Sequence, residues 1–133
     1  RHQAAGHRPP GALVLSAGHR QPWELRAAPP PPGSSTERPG LHAATLPWLR
    51  ERGVSLVVAD ASQDVVPGEY KTLSRPVHQI GIVAMGLCLI DAANFEELAR
   101  YCQKSKRWEF LFVVSPLRFP GATGSPVNPI AMF

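Results

Sequence analysis

Cysteine is scarce in this sequence, a membrane-length apolar run is missing, and the first residue is Arg1 rather than Met. The two cysteines, Cys88 and Cys102, stand fourteen residues apart with no C-x-x-C spacing. That excludes a disulfide framework and a paired-thiolate metal or redox motif, and leaves two reduced, buried thiols in a cytoplasmic protein as the expectation. No stretch approaches the ~20 apolar residues of a membrane span, and no charged, apolar and small-residue succession at the N-terminus resembles a signal peptide. The start at Arg1 fits a fragment or a processed product.

What the chain does contain is enough for one domain. Its 133 residues are 44% hydrophobic and 18% charged, an ordinary balance for a globular protein with a core. The 15 prolines and 11 glycines are unevenly spread. So is charge. Residues 1–53 hold seven Arg against Glu24, Glu37 and Glu51, whereas residues 54–133 balance seven basic against seven acidic side chains. A basic, Pro-rich half raises nucleic-acid affinity. However, Arg1, Arg8, Arg20, Arg26 and Arg38 are dispersed, with only Trp23 interleaved, so no nucleic-acid partner is assigned. No membrane partner is assigned either.

Residues 1–11 show no periodicity. Ala12 to Ser16 reads as a short strand, and from Gln21 to Gly40 the run PPPPGSS favours an extended surface loop. From Leu41 the pattern becomes regular. LHAATLPWLRERG places Leu41, Ala44, Trp48 and Leu49 near one helical face, with Thr45 as a possible cap before Pro47 and Gly53 as the stop. Val54 to Ala59 is an apolar, β-branched strand. Asp60 and Asp64 follow its carboxyl end, where α/β proteins commonly place their sites. Asn94 with Glu97 reads as a capped helix start, with Phe95, Leu98, Ala99 and Cys102 as its stripe. Trp108 to Pro116 is the strongest strand signal, and Val127 to Phe133 reads as a last strand. Helix and strand alternate, which indicates an α/β domain.

The stretch Pro76 to Leu98 organises the rest. Pro76 suits a helix's first turn, and Ile80, Ala84 and Leu87 recur at helical steps on one buried face that ends near Gly86. His78 then lies in that first turn, and neutral imidazole is the form that binds metal. Asp91 follows thirteen residues later, after the apolar run Leu87 to Ile90, where a strand ends and faces a cleft. A lone histidine and an aspartate before a helix are more often structural than functional, and two side chains do not complete a metal site.

The segments GLHAATLPWLRERGVSLVVADASQDV, PVHQIGIVAMGLCLID and FVVSPLRFPGATGSPVNPIAMF resemble the cyclase family that includes bacterial kynurenine formamidases. The closing G-x-T-G-S-P turn is the most specific of the three. The resemblance covers residues 40–133, and more weakly 11–20. It divides the chain into an irregular basic segment, 1–40, and the C-terminal part of a cyclase-type domain, 41–133. It implies a swivelling, β-barrel-like sheet flanked by helices, incomplete in this chain. The activity it implies is metal-dependent hydrolysis of an aryl formamide or cyclic amide, as in tryptophan catabolism. A divalent zinc or manganese ion, a small-molecule amide substrate and possible homo-oligomers also come with it. His78 falls on a metal ligand in the family's P-V-H segment, and Asp91 falls where the family carries Glu. One extra residue lies between His78 and Gly86. The family's H-x-G-T-H-x-D motif is absent: His2, His7 and His19 lack both its spacing and its context. By this reading the chain alone is inactive, and a degenerate, non-enzymatic interaction module is the alternative.

Overall fold

The computed structural model describes residues 11–15 and 37–133. The expectations for residues 1–10 and for the Pro-rich loop, and the comparison of His2, His7 and His19 with the metal motif, fall largely or wholly outside the described residues. Two compact units emerge, Arg1–Asn94 and Phe95–Phe133.

The first unit is built on a parallel sheet in the order β1 (Gly11–Leu15), β2 (Val54–Ala59), β3 (Cys88–Ile90). β2 is central, pairing Leu13 to Val57 on one side and Val57 to Leu89 on the other. Central strands read as continuous apolar runs because both faces are covered. Val57 and Val58 are fully buried accordingly. Between β1 and β2 come a short 3-10 turn, Ala43–Thr45, and helix α1, Leu46–Glu51. Helix α2, Pro76–Met85, joins β2 to β3. Leu46, Leu49, Val57, Val77 and Leu87 form the core of this unit. Burying each such side chain contributes about 1.5–3 kcal/mol.

The helix starts and stops follow the sequence closely, and the buried faces follow it in part. Leu49 and Leu87 are buried and Leu41 and Ile80 pack against the core, but Ala44, Trp48 and Ala84 do not. The 3-10 turn winds three residues per turn rather than 3.6, which shifts the phase of α1. Leu46 and Leu49 therefore face the core, while Ala44 and Trp48 are exposed. The Arg52 guanidinium lies over the Trp48 ring at 4.2 Å. Thr45 sits at the cap position, yet its hydroxyl donates to the carbonyl of His42 at 2.8 Å instead of capping. In α2 the buried positions are Pro76, Val77 and Gly81, and Ala84 is exposed. Gly81 accounts for this choice. A Cβ there would come within 3.3 Å of Leu87 Cδ2 and 3.6 Å of Leu46 Cδ2, so the missing side chain admits both leucines. Gly86, left-handed at φ +67°, closes the helix by donating to the carbonyl of Ile82 at 3.1 Å.

The second unit holds helix α3 (Glu96–Ser105) and an antiparallel ribbon, β4 (Leu111–Val113) with β5 (Ile130–Met132). Phe95 rather than Asn94 occupies the cap position of α3, and no side chain caps it there. The strand expected over Trp108–Pro116 shrinks to three residues. Apolar character favours a strand, but a ladder needs a partner, and the pairing with β5 is three residues long. The ring of Phe133 packs on Tyr101 at 4.4 Å and on Phe110 at 5.2 Å. Both cysteines are free, Cys102 buried as expected and Cys88 exposed near the start of β3. Among the described residues no sheet closes into a barrel. The architecture is mixed α/β with a small parallel sheet.

Candidate functional site

The chain beyond β2 turns back on itself and is held by a short stretch upstream of the 3-10 turn. Arg38 and Val66 exchange backbone hydrogen bonds of 2.9 and 3.0 Å, and the N–H of Leu41 donates to Gln63 at 2.6 Å. Gly40 makes this approach possible, because a Cβ there would lie 2.3 Å from the carbonyl carbon of Asp64. The loop so fixed carries Gln63 and Asp64, both fully buried polar residues.

Asp64 serves the start of α2 from outside the helix. The first N–H groups of a helix have no partner within it, and Arg75, at the cap position, supplies no side-chain acceptor. Asp64 Oδ1 accepts from the N–H of Val77 at 2.6 Å, and Oδ2 accepts from the N–H of His78 at 3.3 Å. The same Oδ2 meets His78 Nδ1 at 2.5 Å. On the other side of the ring, His78 Nε2 lies 3.1 Å from Asp91 Oδ2.

Asp91 is anchored in turn. Its Oδ1 accepts from the backbone N–H of Gln63 at 3.1 Å. The Gln63 side chain bridges β2 and β3, donating to the carbonyls of Val57 at 3.4 Å and Ile90 at 3.0 Å. Its Oε1 is buried without a partner. Exposure rises across the three side chains, from 1% at Asp64 to 23% at His78 and 36% at Asp91. The accessible end of the constellation is the edge between His78 and Asp91.

The structure thus brings His78 and Asp91 together just past the carboxyl ends of β2 and β3. Asp60 is buried directly after β2, but it is Asp64, four residues on, that reaches His78. Gln63 was not legible as a site residue, and only its place in the loop past a buried strand marks it. His42 is a contrasting case. Its Nδ1 accepts from the N–H of Ala44 at 3.2 Å and its Nε2 pairs with Glu69 at 3.1 Å, so both nitrogens serve the surface loops.

A divalent ion is what the family resemblance implies, and the donor set can be tested against it. Zinc bonds of ~2.0–2.2 Å to nitrogen and carboxylate oxygen give an N···O edge of about 2.9–3.4 Å at 90–110°. The 3.1 Å separation of Nε2 and Oδ2 falls in that range. A ligating histidine also commonly donates its other ring N–H to a carboxylate, which is the place Asp64 occupies. The pair fits as two ligands with an orienting partner behind them. Among the described residues no cluster of three or more His, Cys, Asp or Glu side chains is placed to hold a metal.

No family model and no curated protein matches the chain. Among solved structures the chain is similar to the crystal structure of a novel cyclase, with a TM-score of 0.74 and 31% sequence identity. The match takes in 94% of this chain and 40% of that protein's. The chain is thus similar in fold and sequence to part of a solved member of the cyclase family, and it spans 40% of that protein's length.

Proposed function

We propose that this chain supplies one flank of a metal-dependent C–N hydrolase site of the arylformamidase type, acting on an aryl formamide or cyclic amide. The supporting observation is the 3.1 Å edge between His78 Nε2 and Asp91 Oδ2 at the ends of two parallel strands. His78 and Asp91 are the residues that would hold a zinc or manganese ion, Asp64 orients the imidazole, and the Gln63 N–H steadies the carboxylate. When bound, such an ion polarises a substrate carbonyl and activates water. A catalytic zinc site wants three protein ligands, and among the described residues this flank offers two. The purified 133-residue chain is therefore inactive by itself.

Calorimetric zinc titration of the chain tests the ligand assignment. The expected result is weak binding near one ion per chain, abolished in His78→Ala and in Asp91→Ala. Binding that survives both substitutions refutes it. Turnover of N-formylkynurenine by the chain alone refutes the claim of inactivity.

A second reading, a non-enzymatic interaction module, draws on the exposed apolar side chains. Ile82 and Val83 stand out on α2, and Leu111, Val113, Ile130 and Met132 share one face of the ribbon. The coding sequence upstream of Arg1 separates the two readings. An H-x-G-T-H-x-D motif there supports the hydrolase. Its absence, together with no zinc binding and with self-association in sedimentation, supports the module.

A further inference from the structure

Resting on the metal-site reading above, we infer that Asp64 is a positioning residue that keeps a proton on Nδ1 of His78, so that Nε2 is the nitrogen left to bind at the open edge.

Three contacts converge on the Asp64 carboxylate, and two of them cannot be reversed. The backbone N–H groups of Val77 and His78 can only donate, and both point at Asp64. Asp64 is therefore already an acceptor for α2 when the imidazole approaches it at 2.5 Å. Its burial removes water as a competing partner, since only 1% of its side chain is exposed. The remaining role for Nδ1 is to donate. In the neutral ring that places the only N–H on Nδ1 and leaves Nε2 as a lone pair.

The other end then becomes informative. Nε2 and Asp91 Oδ2, 3.1 Å apart, are both acceptors in that state, and two lone pairs facing each other repel. That edge is the place where a bound cation would bridge the two. Asp91 does not swing away, because its Oδ1 is held by the N–H of Gln63 and Gln63 is itself locked to both strands. Each arm of the edge is thus held from behind by a buried group. The loop between β2 and α2 would act at one remove from a cation bound at that edge.

The test uses histidine-labelled 133-residue chain, free of metal, and reads the ring nitrogens by NMR. Wild-type His78 is expected to carry its proton at Nδ1, with that proton shifted strongly downfield by the short contact. In Asp64→Asn the amide NH2 can donate to a bare Nδ1, the kind of change that imposes the wrong tautomer in serine-protease triads. The expected outcome is transfer of the ring proton to Nε2 and a 10–100-fold loss of zinc affinity. A bare Nδ1 in the wild-type chain overturns the inference, and that measurement needs no variant to fold. An unchanged ring spectrum in a folded Asp64→Asn chain also overturns it. If wild type shows the Nδ1 proton but binds no zinc, the metal reading falls while the positioning role stands.

Discussion

Replacing Gly40 by alanine tests whether the loop carrying Asp64 is held as described. The new Cβ would lie 2.3 Å from the carbonyl carbon of Asp64 and 2.5 Å from both its oxygen and the nitrogen of Val65. These are main-chain atoms, so no rotamer change relieves the clash. Overpacking typically costs about 1–3 kcal/mol, and the rigidity of the neighbours puts this case at the upper end. If the two stretches separate instead, four backbone hydrogen bonds are lost, those of Arg38 with Val66 and of Leu41 with Gln63 and Val65. At about 1 kcal/mol net for each, that route costs roughly 4 kcal/mol. Both estimates converge on about 3–4 kcal/mol, a large share of the 5–15 kcal/mol typical of a domain.

Urea unfolding followed by tryptophan fluorescence reads the loss. With a slope of about 1–3 kcal/mol/M, the midpoint of Gly40→Ala should fall by more than about 1 M. Gly68→Ala is the control, because its Cβ would meet nothing closer than 3.8 Å. A Gly40→Ala midpoint indistinguishable from wild type would falsify the packing of residues 38–41 on residues 63–66. The support proposed for Asp64 would fall with it.

Three further substitutions probe separate parts of the first unit. Ala92, immediately after Asp91, adopts φ +56°, a left-handed conformation that costs an L-residue about 1–2 kcal/mol. Glycine removes that cost and loses about 0.5–1 kcal/mol of unfolded-chain entropy. Ala92→Gly should therefore melt about 2 °C higher; a lower melting temperature contradicts the reading. Leu49, 1% exposed in the core, should lose about 2–5 kcal/mol as alanine. Val83, 84% exposed on α2, should change by less than about 0.5 kcal/mol as serine. Equal effects at the two positions in parallel urea titrations would contradict the burial of Leu49 on α1 and the exposure of Val83 on α2.

Local chemistry carried much of the fold. Pro76 and Gly86 mark the bounds of α2 because one lacks a hydrogen that the first turn cannot use, and the other tolerates positive φ. The apolar, β-branched run Val54–Ala59 is a strand over the stretch its residues indicate. His78 and Asp91 were legible as a pair, since a helix start and a strand end are both readable from spacing. What lay beyond spacing was partnership. Asp64 is fourteen residues from His78 and reaches it only because Gly40 admits the returning loop. Gln63 acts through the carbonyls of Val57, six residues away, and of Ile90, twenty-seven residues away. Trp48 is as apolar as its neighbours but faces outward, because a 3-10 turn ahead of it reset the helical phase. Residues 108–116 read as a long strand, but the ladder extends only as far as its partner does. By itself, then, the sequence determined where elements begin, end and change type, because those limits depend on each residue's own backbone preferences. Tertiary structure decided which faces are buried and which side chains meet, because burial and hydrogen bonding depend on atoms that distant segments bring into reach.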